Sequence, residues 1–118
     1  MLLNVSVIML GASDLAKSIA FYRDKLGLHL TSEILNFAFF DAGGTTTLAL
    51  SRAHAQHSPH IVGATEVVFG VDGVKSEYER LKNQGVEFRT EPRDVNGKEW
   101  AASFVDPDGH LLSIFGPP

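Results

Sequence analysis

The chain of 118 residues has no cysteine, which excludes a disulfide framework, a thiolate zinc site and a cysteine nucleophile, and suits the cytoplasm. It is also poor in basic residues, with 10 Lys and Arg against 14 Asp and Glu and a net charge of −4. Because it has no Lys/Arg cluster and no basic amphipathic helix, we expect neither nucleic acid nor a membrane as a partner.

Motifs of several enzyme classes are missing as well. No GxGxxG run follows a predicted strand, no loop has the Lys and Ser or Thr that bind phosphate, and no serine lies between glycines as a nucleophile. Nucleotide cofactors are therefore not indicated. Residues 1–10 are apolar but lack the basic region and cleavage site of a signal peptide, so we expect a strand there.

The most informative feature that is present is an internal repeat. Residues 39–44 (FFDAGG) and 48–50 (LAL) are echoed by residues 104–109 (FVDPDG) and 112–114 (LSI). Each copy has the pattern strand, tight turn, strand, and upstream of each lie an apolar strand, an amphipathic helix ending in Gly, and another strand. The repeat predicts an α+β fold built from two tandem βαβββ modules.

The helices and strands follow from the spacing of apolar residues. Over about residues 14–26 the apolar side chains share one helical face, with Ser13 or Asp14 as the cap and Gly27 as the stop. A matching helix is capped by Asp72 and ends at Gly85. Strands are predicted at residues 5–10, 28–34, 36–41, 47–52, 65–71, 86–90, 99–105 and 110–115.

A single domain is expected, because 118 residues with 44% hydrophobic content support one core. It divides into module 1 at about residues 1–53, a linker at about 54–64 and module 2 at about 65–118. Each module alone is a small sheet with a helix on one face and nothing on the other. Two bare faces curving toward each other predict a curved mixed sheet around a cup-shaped pocket for a small molecule.

Three segments give the chain a family resemblance. Residues 13–15 (SDL), 21–28 (FYRDKLGL) and 104–110 (FVDPDGH) resemble the vicinal oxygen chelate superfamily, which includes glyoxalase I, fosfomycin and bleomycin resistance proteins, and extradiol dioxygenases. The resemblance covers essentially the whole chain and implies the fold, but not the reaction. It also implies a homodimer, and for typical members a metal in the cup held by one His or Glu from each of four strands.

The resemblance places those four metal-ligand positions at Val7, Ala49, Glu66 and Ser113. Only Glu66 could be a ligand, whereas a divalent transition metal needs three or four N, O or S donors. We therefore expect no cofactor, the alternative being one divalent metal. A member without the usual metal centre resembles the bleomycin resistance proteins, which bind and sequester a molecule.

Strand alternation predicts the pocket lining. If Ser113 faces the cup, a hairpin through residues 106–109 would bring Trp100 to the same face. For Phe39 and Phe104, a place in the hydrophobic core is favoured over a place in the pocket. A cup with aromatic rings and one carboxylate suits a flat, partly aromatic ligand with a cationic group. The predicted ligand-binding residues are Trp100, Phe37, Phe39, Val7, Ala49, Glu66, Ala102, Ser113 and Arg93, the last ranked first among the cations that could meet Glu66 or a ligand carboxylate.

Histidines cluster in the predicted linker. His54, His57 and His60 would align as metal ligands only in a helix, and Ser58 and Pro59 argue against a regular helix there. We expect them to be solvated linker residues. His29 and His110 are predicted to be structural.

The resulting hypothesis is a metal-independent small-molecule binding protein, with a role in drug sequestration or resistance. The alternative is a lyase, isomerase or dioxygenase that uses a divalent metal or Glu66 as a general base. A third hypothesis is a regulatory or accessory subunit that keeps the fold without the chemistry. The identity of the ligand, and whether the pocket is completed within one chain or across a dimer, remain open at this point.

Overall fold

A computed structural model describes residues 1–57 and 65–118, with the backbone alone for Gln56 and His57. The chain divides into two compact units, Met1–His60 and Ile61–Pro118. Each unit holds one four-stranded sheet, together with helices, so the α+β prediction is confirmed. None of the helices in the described ranges is long and apolar enough to cross a membrane.

Unit 1 follows the predicted order of strand, helix and three strands. Its sheet has the order β1-β4-β3-β2, with β1 parallel to β4 and the other pairs antiparallel. The elements are β1 Val7–Gly11, α1 Leu15–Ala20, β2 Leu30–Ile34, β3 Phe37–Asp41, β4 Thr47–Ser51 and α2 Arg52–His57, and α1 continues into a π-helical turn at Phe21–Lys25.

The ends of α1 are fixed as the sequence predicted. Of the two candidate caps, Asp14 is the one used, and its Oδ1 accepts a hydrogen bond from the Lys17 amide at 3.1 Å. Gly27 ends the turn with φ +82°, a conformation that glycine adopts at little cost. Tyr22 is fully buried against Phe40, with ring centroids 5.8 Å apart, so α1 covers the sheet face that contains Phe40.

Helix α2 corrects the prediction for the start of the linker. The sequence argued against a helix around His54, but α2 begins at Arg52 and the Ser51 hydroxyl accepts from the His54 amide at 3.3 Å, as a capping residue does. Alanine at positions 53 and 55 favours the helix locally. Predicted linker residues 58–64, including His60, lie outside the described residues.

Unit 2 repeats the arrangement with the order β5-β8-β7-β6. Strand β5 is parallel to β8, and the β8–β7 and β7–β6 pairs are antiparallel. The elements are β5 Glu66–Gly70, α3 Val74–Asn83, β6 Arg93–Asp94, β7 Trp100–Val105 and β8 Leu111–Gly116.

Two local predictions for unit 2 are wrong. Residues 86–90 form no strand beyond an isolated bridge of Phe88 to Phe104, because the Ser103 amide donates to the Thr90 side chain at 2.9 Å instead of to a backbone carbonyl. The predicted cap Asp72 is not the capping residue of α3. Gly73 holds that position without a side-chain bond, and the Val74 amide donates to the carbonyl oxygen of Pro117 at 2.8 Å.

The core of unit 2 lies between α3 and one face of its sheet. Val74 and Leu81 of α3 are buried. The rings of Tyr78 and Phe88 lie 4.6 Å apart, and those of Phe88 and Phe104 lie 5.1 Å apart. Phe104 is fully buried, which confirms its assignment to the core.

Candidate functional site

Each sheet has one face covered by its long helix, here called the helix face, and an opposite one, here called the second face. The pairing register of unit 1 places Phe37 opposite Ser51, and Phe39 opposite Ala49. The second face of unit 1 includes Val7, Met9, Gly11, Ser32, Ile34, Phe37, Phe39, Asp41, Thr47, Ala49 and Ser51. All four residues predicted from the first module therefore share one face.

These four residues differ in their accessibility. The rings of Phe37 and Phe39 are stacked, with centroids 6.1 Å apart, and both are half-buried. Val7 is 47% exposed, whereas Ala49 is fully buried. Helix α2 lies over one end of this face, since a Cβ on Gly11 would come within 2.8 Å of the Ala55 nitrogen. Of these four residues, Val7 and the aromatic pair are accessible, whereas Ala49 is not.

The second face of unit 2 contains a chain of polar side chains. Glu66 and Ser113 share this face because Glu66 pairs with Leu111 in the parallel ladder. The Ser113 hydroxyl donates to Oε2 of Glu66, and the hydroxyls of Ser113 and Ser103 lie 2.9 Å apart. Since the single proton of Ser113 is committed to the carboxylate, Ser103 must donate to Ser113. The chain thus runs from Ser103 through Ser113 to Glu66.

The same face carries a cation at its other edge. Arg93 in β6 pairs with Ala101, and its Nη1 donates to Oγ1 of Thr90 at 2.9 Å. The same Thr90 oxygen accepts from the Ser103 amide at 2.9 Å. A carboxylate on β5 and a guanidinium on β6 therefore lie at opposite edges of one sheet, separated by three strand spacings, or about 14 Å.

The predicted orientation of Trp100 and Ala102 is wrong. Ser113 pairs with Ser103, so Trp100, Ala102 and Phe104 point to the helix face, away from Glu66. Trp100 contacts α3 instead, with Lys75 Nζ 4.4 Å from its ring centroid. A shift of one residue in a strand register moves every side chain to the opposite face.

The length of the hairpin loop explains this error. The sequence suggested a turn through residues 106–109, but the last pair before the loop is Val105 with Leu111, which leaves five loop residues, 106–110. Asp106 holds this loop closed, because its Oδ1 accepts from the amides of Asp108 at 3.0 Å and His110 at 2.9 Å. His110 is buried in this loop, next to Leu111, which pairs with Glu66, and its structural role stays a prediction.

The donor set of these positions does not fit the metal that the resemblance implies. Val7 and Ala49 have no donor atom, and Ser113 uses its proton to hold Glu66. Among the described residues there is no group of three or more His, Cys, Asp or Glu side chains that could hold a metal ion. His54 is exposed, with Nδ1 3.0 Å from the Ser51 hydroxyl.

The sequence profile of the "Glyoxalase/Bleomycin resistance protein/Dioxygenase superfamily" matches residues 4–114. The chain belongs to this superfamily. It is similar to "Metallothiol transferase FosB" of Staphylococcus haemolyticus, with 30% identity over 97% of this chain and 84% of the relative. A "Bleomycin resistance protein" of Geobacillus stearothermophilus is 28% identical over 93% of this chain and 94% of the relative.

The fold is also shared with solved structures. TnmS3, described as "an antibiotic binding protein from Streptomyces sp. CB03234", superposes with a TM-score of 0.83 at 23% identity, covering 99% of this chain and 98% of that one. At this identity the likeness establishes the fold alone. It agrees with the order of strands and helices that the repeat predicted.

The sequence analysis did not identify Ser103, which belongs to the polar chain, or Thr90, which accepts from the Ser103 amide and from Arg93. Ser103 would have been found if a five-residue loop had been considered, because that loop length sets Ser103 directly opposite Ser113. No pattern pointed to Thr90, whose hydroxyl replaces a backbone acceptor in an irregular segment.

Proposed function

We propose that this protein binds a small, partly aromatic molecule without a metal, and that its role is sequestration of a drug or a similar toxic compound. One observation carries the proposal. At the four positions where the superfamily typically places metal ligands, this chain offers two aliphatic side chains, one hydroxyl and one carboxylate, and the hydroxyl is already bonded to the carboxylate. Such a set falls short of the three or four donors that a transition metal needs.

The second faces supply what a flat ligand needs. In unit 2, Val68 is 51% exposed, and Leu111 and Phe115 are half-buried on the same face as Glu66. Apolar area beside one oriented carboxylate supports binding of a molecule with both an apolar body and a cationic group. In unit 1 the stacked pair Phe37 and Phe39 offers aromatic area of the same kind.

The printed names of the relatives favour the same class. One relative is called a bleomycin resistance protein, and the structural neighbour TnmS3 is called an antibiotic binding protein. These names concern those proteins, and they support a search for antibiotic ligands here. We also propose a homodimer, as the family resemblance implies, which sedimentation analysis at several protein concentrations would test.

The first experiment separates binding from metal chemistry. Tag-free protein is incubated with zinc, nickel, manganese or iron(II), passed through a gel-filtration column and analysed for metal. We expect only background metal. Close to one tightly held metal per chain would overturn the metal-independent reading.

The second experiment measures binding of metal-free bleomycin by isothermal titration calorimetry. We expect Glu66→Gln to weaken binding of this cationic probe, because the substitution removes the charge on the second face. Glu33→Gln is the matched control, since Glu33 is exposed and pairs with Ala38 on the helix face of unit 1. Equal affinity of both variants and the wild type would contradict the role given to Glu66, and absence of heat at millimolar bleomycin would exclude this antibiotic as the ligand.

A second candidate function is a lyase, isomerase or dioxygenase in which Glu66 is a general base. It is favoured by the position of Glu66, which is exposed and keeps Oε1 available while Oε2 accepts from Ser113. The 30% identity to a protein named as a metallothiol transferase keeps an enzyme, with or without a divalent metal, as the alternative. Turnover of a candidate substrate by the wild type, lost in Glu66→Gln, would establish it.

A further inference from the structure

A depression lies on the helix face of unit 2, between one flank of α3 and the start of β7. Its volume is about 420 Å³, and it opens to solvent. That volume lies within the range of about 300–1,000 Å³ typical of small-molecule pockets. The residues that matter for its chemistry are Lys75, Tyr78, Glu79, Lys82, Glu91 and Trp100.

Two aromatic rings in this depression are each covered by an ammonium group. Lys75 Nζ lies 4.4 Å from the Trp100 ring centroid, and Lys82 Nζ lies 4.9 Å from that of Tyr78. In the described part of the chain neither lysine takes part in a salt bridge. Cation–π contacts at exposed sites are weak, so each ammonium can exchange its ring for an anionic partner.

The ring of Tyr78 is held in place from below. It makes an edge contact with Phe88, with centroids 4.6 Å apart, and Phe88 in turn contacts the fully buried Phe104. Trp100 is half-buried at the start of β7. The aromatic walls of the depression are therefore anchored to the core, whereas the lysine side chains over them can move.

We propose that this depression binds a planar aromatic molecule with a single negative charge, such as an aromatic carboxylate. The ring of the ligand stacks on Trp100 in the place of the Lys75 ammonium. The carboxylate pairs with Lys75 and Lys82, which lie seven residues apart on one flank of α3. The two contacts support each other, because the Lys75 ammonium that leaves the Trp100 ring is the group that then pairs with the ligand carboxylate.

The acidic residues limit the charge of the ligand. Glu79 and Glu91 line the same depression, so its two positive charges are balanced by two negative ones. A polyanion such as a nucleotide would be repelled by these carboxylates. The depression therefore favours a monoanion over a polyphosphate.

This site is separate from the one proposed for the function above. Trp100 points to the helix face, whereas Glu66, Ser113 and Arg93 lie on the second face of the same sheet. The two sites prefer ligands of opposite charge. Failure of one proposal therefore leaves the other intact.

The test uses 2-naphthoate as the probe and the indole N–H signal of Trp100 in a ¹⁵N NMR spectrum as the reporter, since the chain has only 1 Trp. We expect a saturable shift with a dissociation constant on the order of 1 mM. The double variant Lys75→Gln/Lys82→Gln should weaken binding about tenfold. The matched control Lys17→Gln/Lys25→Gln removes two exposed charges from unit 1 and should leave the affinity for 2-naphthoate unchanged.

Two comparisons make the proposal falsifiable without relying on one variant. The neutral analogue naphthalene-2-methanol should bind about tenfold more weakly than 2-naphthoate, by loss of the same ion pairs. Equal shifts with both probes, or no saturable shift at millimolar 2-naphthoate, would overturn the proposal. So would a loss of 2-naphthoate binding in Glu66→Gln but not in the double lysine variant, which would place the probe on the second face.

Discussion

Replacing Ser113 by alanine should destabilise unit 2 more than its small size suggests. The Ser113 side chain is 2% exposed, and it stands between Ser103 and Glu66 in the polar chain. Alanine removes both hydrogen bonds at once. Glu66 is exposed, so water can replace the Ser113 hydroxyl as the donor to its carboxylate. Ser103 is only 8% exposed, so its hydroxyl is left without the acceptor that Ser113 provided.

The magnitude follows from this asymmetry. A buried donor left without a partner costs about 1–3 kcal/mol, and one net hydrogen bond contributes about 1 kcal/mol. We therefore expect Ser113→Ala to lower the free energy of unfolding by about 2 kcal/mol, a fall in Tm of about 8 °C for a chain of this size. Ser103→Ala should cost only about 1 kcal/mol, because Ser113 keeps its bond to Glu66.

A double-mutant cycle distinguishes the chain from two independent serines. In Ser103→Ala/Ser113→Ala no buried donor remains unpaired, so we expect a total loss of about 2 kcal/mol, which is about 1 kcal/mol less than the sum of the single variants. Urea denaturation followed by circular dichroism measures all three. Ser6→Ala, at an exposed serine, is the control and should change stability by less than about 0.5 kcal/mol.

Two results would refute this reasoning. Additive losses would mean that the two hydroxyls do not interact. A larger loss for Ser103→Ala than for Ser113→Ala would mean that the direction of donation along the chain is wrong.

Two further predictions concern backbone packing and a surface ion pair. A Cβ on Gly116 would overlap the carbonyl oxygen of Val71, whereas one on Gly70 would meet no heavy atom within 4 Å. Gly116→Ala should therefore cost about 3 kcal/mol and Gly70→Ala less than about 0.5 kcal/mol in urea denaturation, and similar values would contradict the close approach. The hydrogen bond from Arg80 holds the pKa of Glu77 below its ordinary value, so the pair stabilises α3 above that value and the gain is lost as the pH falls through the lowered pKa. With the Arg80 side chain 46% and the Glu77 side chain 30% exposed, Arg80→Gln should cost about 0.4 kcal/mol at pH 7 and progressively less as the pH falls through the lowered pKa of Glu77, and a cost that does not decrease in acid would argue against the ion pair.

Local signals in the sequence determined most of the fold. The repeat predicted two equivalent modules, and α1 with its π-helical turn begins and ends where a capping carboxylate and a glycine predict, at Asp14 and Gly27. These signals are reliable because a cap or a left-handed residue acts on its own neighbours and needs no distant partner. Alternation along β3 likewise placed Phe37 and Phe39 on one face, and the structure confirms that they share it.

The composition of the candidate site was decided by tertiary structure. Trp100 and Ser103 exchange faces if the hairpin loop is shorter by one residue, and the loop length depends on hydrogen bonds that Asp106 makes to amides across the turn. Thr90 enters the site because its hydroxyl replaces a strand carbonyl beside Ser103. The hydrophobic pattern divides the residues of a strand into two alternating sets, because side chains alternate with a period of two. It does not say which set faces the ligand, since a shift of one residue in the register exchanges the two faces. Only the register seen in the three-dimensional structure decides this.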